Sequence, residues 1–145
     1  MDKVRENKQE ELAAAIERLK QSKEDAEERD RMFGANAGRD FALRRASYAM
    51  LRIIAAMEED YGCPECYDLE DGADTLVAEL ASRLEDSHSD SWELKDLAEL
   101  LFRDGTSKPS PEFLAAFVQA AAETWRQVEA QVELQAAPDA GSMTQ

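Results

Sequence analysis

A chain of 145 residues is one domain by size and can bury a core without disulfide staples. Apolar residues at 43% suit a globular protein, while four prolines and six glycines are too few for a loop-rich or all-β fold. The net charge of −15 disfavours direct binding to nucleic acid or to an anionic membrane, and no run approaches the roughly 18 apolar residues of a membrane span.

The charge is unevenly spread. Residues 1–57 carry a net +1, residues 58–104 a net −13 and residues 105–145 a net −3. The middle third therefore holds nearly all the excess, a field that attracts basic partners. The opening Met1-Asp2-Lys3-Val4-Arg5-Glu6 has no apolar run behind it, so no secretory leader is expected. Cys63 and Cys66 are too close and too few for a disulfide framework, which points to a reducing cytoplasm.

The pattern predicts an all-α chain of about five helices, a bundle with a long first and a long last helix. The first covers about 2–33 and is rich in Glu, Lys, Arg, Gln and Ala. Leu12, Leu19, Ala26 and Phe33 repeat every seven residues, Ile16 falls between them, and Lys23 interrupts the seam. So thin a stripe suits a helix that projects from the bundle or pairs with its own copy. Gly34-Ala35-Asn36-Ala37-Gly38 predicts a break, with a second helix over about 39–61 capped by Asp40 or Asn36. That helix is the most apolar, with Leu43, Met50, Ile54, Met57 and Tyr61 on one face and Phe41, Tyr48, Leu51 and Ile53 beside it. Gly62 and Pro64 end it.

The third helix covers about 70–86 on the stripe Ala73, Leu76, Val77, Leu80 and Leu84. Asp90-Ser91-Trp92-Glu93 reads as a capping box opening the fourth, followed by Leu94, Leu97, Ala98 and Leu101. Ser110-Pro111-Glu112 marks the sharpest boundary, because Ser accepts a backbone N–H and Pro at the first position needs none. The fifth helix runs to about 135 on the seam Leu114, Val118, Ala121, Trp125, Val128 and Val132. The expected organisation is a charged helix at 1–33, a bundle core at 39–135 and a disordered tail at 136–145.

Three features carry chemistry. Cys63-Pro64-Glu65-Cys66 has the spacing of two zinc thiolates, but zinc takes four ligands. His88 is a candidate third ligand; alternatively, a homodimer would supply four sulfurs from two chains. Without such a set the pair is structural, and no cofactor is expected. A redox role is weaker still, since no strand precedes the pair. The acids Glu58, Glu59, Asp60, Glu70, Asp71 and Asp74 form the second feature, with Trp92 as a nearby aromatic anchor. Glu70-Asp71-Gly72-Ala73-Asp74-Thr75-Leu76 resembles the second magnesium element of the all-helical nucleotide pyrophosphatases related to MazG. The resemblance implies magnesium-dependent hydrolysis with Glu58, Glu59, Asp71 and Asp74 as ligands. Asp71 stands where that family has Glu, and no second acid lies three residues after Glu58 or Glu59. The third feature is Arg39, Arg44, Arg45 and Arg52, which are expected to pair with the acidic middle.

These readings rank three functions. The first is a non-enzymatic interaction protein (an adaptor, inhibitor or assembly factor, as a nucleic-acid mimic would be) that engages a basic protein through an anionic face. The second is the magnesium-dependent pyrophosphohydrolase. The third is a zinc-linked structural module, dimeric through its cysteines. The first needs no direct contact with nucleic acid or membrane, and it leaves homodimerisation open.

Overall fold

A computed structural model describes residues 2–67, 72–84, 92–101 and 109–136. The described residues form five α-helices: α1 (Asp2–Arg44), α2 (Tyr48–Tyr61), α3 (Gly72–Leu84), α4 (Trp92–Leu101) and α5 (Pro111–Ala136). A 3-10 turn at Pro64–Cys66 follows α2. The chain is all-helical with long first and last helices, as its periodicity predicts. No described helix is long and apolar enough to cross a membrane.

The first helix corrects the expected break. α1 runs unbroken through Gly34 and Gly38 for 43 residues. The two glycines stand four apart on one face, and there the backbone of α5 closes on α1. A Cβ on Gly34 would meet Phe113 Cα at 2.9 Å, and one on Gly38 would meet Phe117 Cα at 3.0 Å, with the carbonyl oxygens of both residues nearer still. The glycines do not end the helix; they let a second backbone touch it. Each costs about 1 kcal/mol of helix propensity, which close packing and Cα–H···O contacts offset. The order of contacts, 34 with 113 and 38 with 117, makes α1 and α5 parallel at this crossing.

The true break comes later. Arg45 and Ala46 both donate their backbone N–H to Phe41 O at 2.9 Å, winding off the end of α1. Ser47, not Asp40 or Asn36, caps α2: its hydroxyl accepts the Met50 N–H at 3.1 Å. So Phe41 and Leu43 belong to α1. They face opposite ways, Phe41 fully buried and Leu43 exposed. α2 returns antiparallel to α5, since Tyr48 meets Trp125 and Glu129 while Gly62 meets Gln119.

α5 is the axis of the bundle. It touches α1, α2, α3 and the 3-10 turn, while α4 leans on α3. Its start is as read: Phe113 N–H donates to Ser110 Oγ at 3.2 Å. Leu114, Phe117, Val118 and Ala121 are fully buried in one cluster with Phe41 of α1, Met50, Ile54 and Met57 of α2, and Leu76 and Leu80 of α3. Leu94, Leu97 and Leu101 bury the inner face of α4. Beyond Trp125 the seam opens, and Val132 is already half exposed. At the other end, residues 6–33 of α1 lie outside the bundle: all are exposed save Ala15, Glu27 and Asp30, which are half-buried.

Candidate interaction surface

Of the acids singled out by charge, Glu58, Glu59 and Asp60 end α2 and Asp74 lies in the first turn of α3, on an edge built from the end of α2, the 3-10 turn and the start of α3. Tyr67 anchors it. Its ring is buried, packs on Tyr61 with centroids 5.6 Å apart, and its hydroxyl donates to Tyr61 O at 2.9 Å. Burial is the main reason its phenol stays protonated far above the ordinary range. Gly72 opens α3 with no side chain because Leu114 Cδ1 and Tyr67 Cβ lie where one would sit, at 3.0 and 3.5 Å. Tyr61 OH reaches Glu79 Oε1 at 3.4 Å, tying α2 to α3. Burial, then the Glu79 charge, pushes the Tyr61 phenol up.

On this frame Glu58, Glu59 and Asp60 occupy the last turn of α2, where the helix dipole is negative. Glu58 is half-buried and paired with Arg126 of α5. That partner, 68 positions away, has no sequence signature. Glu59, Asp60, Glu65 and Asp74 are exposed. Asp74 lies in the first turn of α3, where the dipole favours an acid. Glu79 pairs with Arg83 at 3.2 Å. Glu70, Asp71, His88 and the side chain of Trp92 lie outside the described residues, as does most of the capping box.

Among the described residues the arginine cluster forms no ion pair with this edge. Among the described residues Arg44 pairs with Asp40 at 2.9 Å, and no ion pair joins Arg39, Arg45 or Arg52 to the acids of residues 58–79. Arg39, Arg44 and Arg45 belong to α1 and its end, Arg52 to α2, so Arg45 and Arg52 do not share the face of one helix. Arg39 instead lines an open groove of about 280 Å³ between α1 and α5, with Asn36, Glu123, Thr124 and Gln127. Sequence reading missed this groove because its lining comes from two helices about 85 positions apart in the chain.

Cys63 precedes the 3-10 turn and Cys66 is its last residue, Cys63 half-buried and Cys66 exposed, both free. A hydrogen bond with the Cys66 thiol, followed by burial, raises the Cys63 thiol above its ordinary pKa. Such a thiol is mostly protonated at neutral pH and a poor nucleophile. Replacing Cys66 by Ala removes the largest cause, so the Cys63 titration should move toward the ordinary cysteine range. Alkylation of Cys63 by iodoacetamide at pH 8 should then speed up, as followed by peptide mass. Among the described residues no three His, Cys, Asp or Glu side chains are grouped to hold a metal ion.

Compared with models of known protein families, with curated proteins and with solved structures, the chain matches none of them. The functional reading therefore stands on the geometry of the chain itself.

Proposed function

We propose that this chain is a non-enzymatic interaction protein that meets a basic protein partner through the edge formed by the end of α2, the 3-10 turn and the start of α3. The supporting observation is the run Glu58-Glu59-Asp60 in the last turn of α2. Acids at that pole are disfavoured by about 0.3–1 kcal/mol each, and a base there would stabilise the helix instead. Arg126 answers Glu58, while Glu59 and Asp60 are left facing solvent. A local rule broken without internal compensation is expected at a working surface. The edge sits in the segment that carries a net −13, so it would steer a cationic partner from a distance and set its orientation on arrival.

Affinity purification of the tagged full chain over a salt series tests this reading. The expected result is a co-purifying protein of high isoelectric point that is released as salt rises. The variant Glu59→Lys/Asp60→Lys/Glu65→Lys/Asp74→Lys should lose it by at least about tenfold. The same number of reversals on α1 (Glu10→Lys, Glu11→Lys, Glu17→Lys and Glu24→Lys) should leave it bound. A partner held equally at all salts, equal loss in both variants, or no partner at all would count against the proposal.

A further inference from the structure

We propose that α1 pairs with α1 of a second copy as an antiparallel two-stranded coil over residues 6–29. This goes beyond the anionic edge and uses none of its residues. The stripe Leu12, Ile16, Leu19, Lys23, Ala26, Asp30 and Phe33 steps by four and three, and the next step is Ala37, which packs against the core. The projecting stripe is therefore an extension of the face that α1 lays on α5. Inside the bundle that face is covered, whereas Leu12, Ile16, Leu19 and Phe33 are exposed at 62, 45, 59 and 55%. The paired segment is about 36 Å long and spans a little over three heptads, enough for a coiled coil.

The polar seam positions choose the occupant's direction. A parallel pair would set Lys23 against Lys23 and Asp30 against Asp30, like charges in the seam. An antiparallel pair centred between residues 17 and 18 sets Ile16 against Leu19 of the second copy, twice. It also sets Leu12 against the aliphatic stem of Lys23, and Gln9 against Ala26. The seam is thus complementary to its own reverse, which is what a two-fold interface requires. Residues 2–33 hold ten acids and eight bases, so this helix lacks the field that repels copies of the acidic middle. Antiparallel pairing also sends the two bundles to opposite ends of the rod, many Debye lengths apart. At its rims Lys8 faces Arg29 and Glu6 faces Glu27 of the second copy. These like charges weaken the pair, so added salt should strengthen it, opposite to the expected response of the anionic edge.

Sedimentation of the full chain at micromolar concentrations, with and without added salt, should give twice the 16.2 kDa chain mass, with more dimer at higher salt. Ile16→Glu with Leu19→Glu, both at exposed positions, should raise the dissociation constant at least about a hundredfold. Ala14→Glu with Gln21→Glu, on the opposite face, should leave it unchanged. A spin label at Asn7→Cys, in a Cys63→Ser/Cys66→Ser background, should report a separation above about 30 Å, since the two labels then lie 21 residue steps apart along the rod. A monomer under all conditions, growth beyond the dimer, a dimer indifferent to the Ile16/Leu19 pair, or a label distance under about 20 Å would each overturn the proposal. None of these results bears on whether the anionic edge captures a basic protein.

Discussion

Alanine at Gly34 and Gly38 together is expected to lower the stability of the bundle by about 2–4 kcal/mol, read as a fall in the urea midpoint at unchanged slope. The sign is what makes this informative. Within an exposed helix each glycine-to-alanine change stabilises by about 1 kcal/mol, so the pair would gain about 2. Here both added methyl groups would point into the backbone of α5 at Phe113 and Phe117. A side chain in that position could rotate away, but a carbonyl inside a helix cannot. The helices must therefore separate, and Phe41, Phe117 and Ala121 lose close packing together. Asn36→Ala is the internal control. Asn36 lies between the glycines and is exposed, so its replacement should raise stability by a few tenths of a kcal/mol through helix propensity alone. A gain for all three changes would mean that α1 does not rest on α5.

That pair of glycines also shows where sequence reading succeeds and where it stops. Boundaries made by local chemistry were legible. Ser110-Pro111 starts α5 because cap and proline act within one turn, and Ala73, Leu76, Leu80 and Leu84 are buried on α3 as their spacing requires. Gly34 and Gly38 misled because propensity treats glycine as a breaker, whereas their spacing of four was the signature of close helix contact. The actual end of α1 has no glycine or proline. It is made by two N–H groups sharing Phe41 O and by Ser47, a cap set among apolar residues that hide it. The acidic edge was visible as composition. Its support was not: the Glu58–Arg126 pair and the contact of Gly72 with Leu114 join elements far apart in the chain, and no local pattern announces them.

The other large effect is expected at Phe117, whose ring is fully buried against Phe41 with centroids 5.7 Å apart and stacked on Phe113 at 6.4 Å. Phe117→Ala should cost about 4–5 kcal/mol, the upper part of the range for emptying an aromatic site. The reason is that this site cannot collapse. The backbone of Phe117 is already in contact with Gly38, so α1 and α5 cannot move closer to fill the void. Against a total stability of about 5–15 kcal/mol for a domain of this size, such a loss leaves the bundle marginal. Circular dichroism would then show α1 fraying with it, since residues 6–33 are exposed save Ala15, Glu27 and Asp30. Phe117→Leu should lose less, and a cycle with Phe41→Leu should reveal a coupling of about 0.5–1.5 kcal/mol from the tilted rings. A cost for Phe117→Ala below about 2 kcal/mol would imply that the site relaxes, and hence that the glycine contact does not hold the two backbones together.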